Sequence, residues 1–168
     1  MKRLLLPLST LLVLSITLGA CKKDKDDPKP ATKSELLMGK NWKVTAVTVD
    51  PALIINGTSF TNLYAQSLIF PDCAKDDLYR FDSGSVYKED EGGTKCSPTD
   101  LQTRVGTWSL STDERTLTTA LPATATNGAE NVSYTLLEVN ENTWRSTTIE
   151  RFGSTTTDYT LTITFSKQ

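Results

Sequence analysis

The chain of 168 residues contains no histidine. Ser-His-Asp and Cys-His nucleophilic catalysis are therefore absent, as is the usual nitrogen ligand of a zinc site. No glycine-rich loop precedes a helical pattern, which excludes phosphate cradling of the P-loop or dinucleotide kind. No heptad occurs, and no repeat of solenoid or propeller type. Basic residues form no stripe interleaved with aromatics, and the formal charge is −2. Such a body attracts neither nucleic acid nor anionic lipid. Long apolar runs are missing apart from Leu4 to Ala20, which is short for a spanning helix. A carboxylate pair acting on a glycan bond is the catalytic arrangement that composition leaves open, and nothing in the sequence selects a pair. The expectation is a non-catalytic protein without a cofactor or a bound metal.

What is present begins at the N-terminus. Lys2 and Arg3 precede the apolar run, which ends in Leu18-Gly19-Ala20-Cys21 and is followed by dense charge. A basic start, a short apolar stretch and a small-residue cut site mark a secretory signal. Small residues ending directly on Cys21 resemble the lipobox of bacterial lipoproteins. That resemblance implies that residues 1–20 are removed and that Cys21 becomes the lipidated first residue. It would carry two or three acyl chains of the palmitate kind, and each buried methylene contributes about 0.8 kcal/mol. The alternative is an ordinary secretory peptide in which Cys21 is incidental. Residues 21–33 are rich in Lys, Asp, Pro and Thr and read as a solvated tether with a reach of roughly 20 Å. Within it, Lys25-Asp26-Asp27 resembles the short signals that send lipoproteins of the Bacteroidetes to the cell surface. The expected location is the bacterial outer membrane, on its surface or its periplasmic face.

Removal of residues 1–20 takes two positive charges with it, and the formal charge moves from −2 to about −4. About 148 residues remain, enough for one domain with a real core. In an oxidising compartment Cys73 and Cys96 are expected to pair. Between them Asp82-Ser83-Gly84-Ser85 is a turn signal, and a hairpin centred there would bring the two cysteines together across its open end. The alternative is two free structural thiols. Asp72, Asp76 and Asp77 beside Cys73, and Glu89, Asp90 and Glu91 before Cys96, suggest a Ca²⁺ site. No Asp-x-Asp-x-Asp loop is present, however, and lysines lie among the acids, so a solvated loop is the plainer reading.

The body from Ser34 to Gln168 reads as strands. Ser34 to Met38 predicts a short helix ended by Gly39. Asn41 to Asp50 alternates, with Trp42, Val44 and Ala46 on one face, and Pro51 ends it. Asn56-Gly57 is a turn, and Thr61 to Leu68 reads as a short helix. The hairpin arms are Asp77 to Asp82 and Ser85 to Asp90. Further strands are predicted at Thr103 to Leu110, Thr116 to Leu121, Glu130 to Val139, Thr143 to Phe152 and Asp158 to Lys167. Short turns between neighbours imply an all-β antiparallel meander of about eight strands, either a closed barrel or two stacked sheets.

Leu37-Met38-Gly39-Lys40-Asn41-Trp42-Lys43, Cys73 to Phe81, Cys96 and Gly106-Thr107-Trp108-Ser109-Leu110 together resemble the lipocalin-like lipoproteins of the Bacteroidetes. The resemblance covers about residues 34–168 and implies a small lipocalin-like β-barrel with an apolar ligand. Lipocalins proper place one residue between Gly and Trp at the first strand, whereas Gly39 and Trp42 are separated by two. Trp42, Phe60, Tyr64, Trp108 and Trp144 are the candidate ligand-binding residues. Trp42 and Trp108 suit a core as well, and Trp144, following a turn, suits the rim. The apolar stretch from residue 51 to residue 70 reads as a lid over one mouth or as a permanent plug. The expected protein is a monomer that binds a small apolar or amphipathic molecule; the alternative is a filled barrel that contacts another envelope protein or a glycan.

Overall fold

The structure, a computed structural model, describes residues 29–153 and 156–168. The expected signal peptide, Cys21 and residues 22–28 of the tether lie outside the described residues. Among the described residues no helix is long and apolar enough to cross a membrane.

The first element described is helix α1, Lys33–Leu37, one residue earlier than its sequence suggests. Thr32 and Glu35 form a reciprocal cap: the Glu35 amide donates to Thr32 Oγ1 at 3.2 Å, and the Thr32 amide donates to Glu35 Oε2 at 2.7 Å. Leu37 is fully buried, and its carbonyl accepts the Trp42 indole N–H at 2.9 Å. Gly39 takes φ +72° and lets the chain double back into the first strand.

Nine strands follow: β1 (Asn41–Ile55), β2 (Thr58–Asn62), β3 (Leu78–Asp82), β4 (Val86–Asp90), β5 (Thr103–Leu110), β6 (Thr116–Leu121), β7 (Glu130–Val139), β8 (Thr143–Glu150) and β9 (Tyr159–Lys167). β3 to β9 form an antiparallel meander, and β1 pairs with β3 on one side and with β9 on the other. The result is a closed eight-stranded barrel with β2 added outside it, which decides between the barrel and the two-sheet alternative. Closure removes the sheet edges that a sandwich would leave.

β1 departs from its sequence reading in two ways. A bulge lies between Val44 and Ala46, where the register against β9 shifts. Trp42 and Val44 point inward before it, and Val47 and Val49 after it, while Ala46 is only half-buried. An extra residue flips the two-residue period, which strict alternation cannot foresee. Secondly, Pro51 does not end the strand. Pairing with β9 stops at Asp50, opposite Thr160, so a residue with no N–H is tolerated there. β1 then leaves the barrel wall and pairs with β2 around the turn Asn56-Gly57, where φ is +50° and +80°. The helix expected at Thr61 to Leu68 is replaced by the end of β2 and a series of turns. Pairing of Asn62 with Thr48 of β1 overrides helix propensity, and the Asn62 side chain accepts from the Ala65 amide at 3.3 Å to make a turn.

One end of the barrel is closed by aromatic packing. Phe81, Trp42 and Trp144 are each no more than 1% exposed. Trp144 stacks on Phe165 at 3.8 Å, and Phe81 meets Trp108 and Tyr87 at 5.4 Å each. Gly106 is needed at this level for a different reason: a Cβ there would land on the carbonyl oxygen of Ala120 in the next strand. At the other end, Cys73 and Cys96 are joined with their Cα atoms 5.1 Å apart. The bond ties the turn Asp72–Lys75 to the β4–β5 loop, and Asp76 Oδ2 reinforces it by accepting from the Gly93 amide at 2.9 Å.

The bridge closes a loop of about 24 residues, worth roughly 3 kcal/mol on the chain-entropy model. Replacing Cys73 and Cys96 with Ser should lower the unfolding free energy by about that amount in denaturant titrations while leaving the far-ultraviolet spectrum of the folded protein unchanged.

Candidate functional site

Toward the disulfide end the barrel interior is not filled. A cavity of about 210 Å³ remains there. Val44 and Val47 of β1, Leu161, Ile163 and Phe165 of β9, Tyr79 of β3 and Tyr134 of β7 line it. Leu63, Ile69 and Phe70, from the segment after β2, cover it together with Phe152, which follows β8. This cover is anchored: the Leu63 and Tyr64 amides both donate to the Val47 carbonyl, at 2.9 and 3.3 Å. Phe70 packs on Tyr64 at 5.2 Å, and the Lys75 ammonium lies over the Tyr64 ring at 5.3 Å.

Strand parity places a polar row next to the apolar one. Tyr79 stands opposite Glu89, and Glu89 opposite Arg104, across three neighbouring strands. Directly opposed side chains share a face with Cβ atoms about 5 Å apart. Arg104 is 8% exposed. One of its terminal nitrogens donates to Glu130 Oε1 at 2.5 Å and lies 3.5 Å from Glu89 Oε2, and the other donates to the Gly128 carbonyl at 3.2 Å. Glu89 Oε2 and Asp77 Oδ1 are buried with no hydrogen-bond partner, and Asp77 is 8% exposed.

Burial, and then the charge of Glu130, pushes the Glu89 carboxyl up to about 7, against the opposing pull of Arg104. Asp77 also rises to about 7, first through burial and then through the charges of Glu91, Glu89, Asp76 and Asp90. Burial raises the Tyr79 and Tyr134 hydroxyls, and the charge of Glu89 adds to the rise in both. Burial acts to lower the Arg104 guanidinium, but its hydrogen bond to Glu130 and the neighbouring negative charges outweigh it and raise the group. Asp77 and Glu89 therefore do not belong to a solvated loop, as their charged neighbourhood suggests. Nor does any set of three His, Cys, Asp or Glu among the described residues form a metal site.

The five sequence-selected ligand residues sit elsewhere. Trp42, Trp108 and Trp144 fill the closed end, and Trp144 is core rather than rim because it stacks between Phe165 and neighbouring rings. Phe60 and Tyr64 pack against the core from the outer strand and the cover. None of the five lines the cavity. The residues that do, and the polar row beside them, carry a readable signal. Arg104 has the same parity as Gly106 and Trp108, and Glu89 the same parity as Tyr87. A second concavity of about 620 Å³ lies on the outer wall, where β5 and β6 diverge at Pro122; Val105 and Thr107 are exposed along it. It is larger but open, and Thr107, Glu130 and Asn131 are the polar side chains along it.

A raised carboxyl favours the folded state while it stays protonated. The unfolded chain releases these two protons near pH 4 and the folded chain near pH 7, so stability should fall as pH rises through that window. Thermal unfolding should show the midpoint declining between about pH 4 and pH 7, and Asp77→Asn should flatten the decline, raising the midpoint at the upper end by on the order of 5 °C. An unchanged pH profile in the folded variant would contradict the burial of this carboxyl.

A family model described as a lipocalin-like domain matches residues 37–145. No curated protein matches the chain.

Proposed function

The chain belongs to the lipocalin-like domain family, and on that premise we propose that it is an envelope-anchored, non-catalytic module whose barrel interior holds a small apolar or amphipathic molecule. The observation that carries this reading is the interior cavity of about 210 Å³, apolar on most sides and covered by Leu63, Ile69 and Phe70. An apolar cavity of about 150 Å³ accommodates a benzene-sized molecule. The ligand is thus a single ring or one short chain, below the size of most drug-like ligands. The interior polar groups lack a nucleophile with an adjacent base, which argues for holding a molecule rather than transforming it.

Anchoring rests on Leu18-Gly19-Ala20-Cys21 and on the charged tether after it. Two or more acyl chains on Cys21 would hold the protein stably at the outer membrane. Lys25-Asp26-Asp27 supports the surface face.

Native mass spectrometry of protein taken from its own membrane should show a co-purifying small molecule. Filling the cavity with Leu161→Trp should remove that adduct and leave a folded barrel; a persistent adduct would place the ligand elsewhere, and a co-purifying protein in place of a small molecule would favour the interaction reading. Separately, Cys21→Ser should move the protein to the soluble fraction, and continued membrane retention would refute the lipid anchor.

A further inference from the structure

We infer that the interior selects an amphipathic ligand with a cationic head, a short alkylamine or a single-ring amine, whose ammonium sits against Glu89 and Asp77 while its apolar part fills the cavity. The inference rests on the carrier reading above. It begins from an imbalance of charge. Asp77, Glu89, Glu130 and Glu150 share the inward parity of their strands or lead directly into them, and Arg104 is the buried cation at this end of that face. Lys75, the nearest cation of the cover, is engaged with Asp72 at 2.6 Å.

Arg104 does not balance the set. Its closest bond goes to Glu130 at 2.5 Å, and a second goes to the Gly128 carbonyl. Glu89 stands 3.5 Å away with Oε2 unbonded. Asp77, more than nine-tenths buried, likewise leaves Oδ1 without a donor. A buried carboxylate oxygen without a donor is costly. It must take a proton or receive a donor from outside the chain, and a primary ammonium brings three N–H donors on one atom.

The position of this deficit ties it to the cavity. Tyr79 lines the cavity and is directly opposite Glu89 in the sheet. Tyr134, on β7 across the barrel from β3, also feels the Glu89 charge. Val44, Leu161 and Ile163 line the same cavity, while Glu89 and Asp77 lie behind its lining, next to Tyr79 in the sheet and in sequence. An apolar body held by the lining residues would present its polar end past Tyr79 toward Glu89. A carboxylate head in that place would meet the charges of Glu89 and Asp77; Arg104 keeps one buried N–H, Nε, without a partner, but its charge is already matched by Glu130 and Glu89. A metal ion is not supported, since no three carboxylates converge among the described residues.

The test is a chain-matched series, octylamine, octanol and octanoate, titrated into the Cys21→Ser protein by displacement of a fluorescent apolar probe. The amine should bind at least roughly tenfold more tightly than the alcohol, and the carboxylate most weakly. Glu89→Gln and, independently, Asp77→Asn should bring the amine to within a few-fold of the alcohol while leaving alcohol binding unchanged. Equal binding of all three, preference for octanoate, or undiminished amine selectivity in both folded variants overturns the inference and leaves the carrier reading standing. Failure of all three to bind the folded protein, read directly by isothermal titration calorimetry, overturns the carrier reading itself.

Discussion

The pairing of β1 with β9 is the interaction on which the other features depend. It runs from Trp42 opposite Lys167 to Asp50 opposite Thr160 and turns an open meander into a barrel with an inside. Without it, Leu161, Ile163 and Phe165 would line one edge of a sheet and enclose nothing. The bulge between Val44 and Ala46 matters as much as the pairing. It keeps Trp42 and Val44 inward on one side and Val47 and Val49 inward on the other, so that one strand contributes to both the aromatic end and the cavity.

The two ends then receive opposite treatments from the same strands. At the α1 end, Trp42, Phe81, Trp108, Trp144 and Phe165 leave no space, and Leu37 closes the base. At the disulfide end the rings give way to Tyr79, Tyr134, Glu89 and Arg104, which pack less tightly because their polar atoms need partners and room. Large aromatics on β3, β8 and β9 give rigidity at one end; tyrosines and charges two residues further along give a space with chemistry at the other. Burying Glu89 and Asp77 costs stability at neutral pH, a cost that a purely structural barrel would avoid with apolar residues.

Much of this was legible in residue order. β5, β6 and β7 have the bounds that their alternation and turn signals predict, and the Asp82-Ser83-Gly84-Ser85 turn and the Cys73–Cys96 pair follow from one hairpin. The failures have specific causes. Asp50-Pro51 reads as a stop, but β1 had already run out of barrel partner when it reached Pro51. Thr61 to Leu68 has helix formers, but Asn62 pairs with Thr48 and the next two amides bond the Val47 carbonyl. Aromatic identity drew attention to Trp42, Trp108 and Trp144, whereas the cavity belongs to residues chosen by level in the barrel, which depends on the stagger between strands. Arg104 and Glu89 were readable from parity alone, yet charged residues in strands are ordinarily assigned to the outer face.

The cover over the cavity has a mechanical property that follows from how its ends are held. Leu63 is fastened to Val47 on the barrel seam, and Cys73 is bolted to Cys96 across the mouth. The ten residue steps between them can stretch only so far. A strap fixed at both buckles can bow outward but cannot swing aside. A guest of the kind proposed would have to pass beneath it, and the clearance would select by cross-section before any binding group was reached.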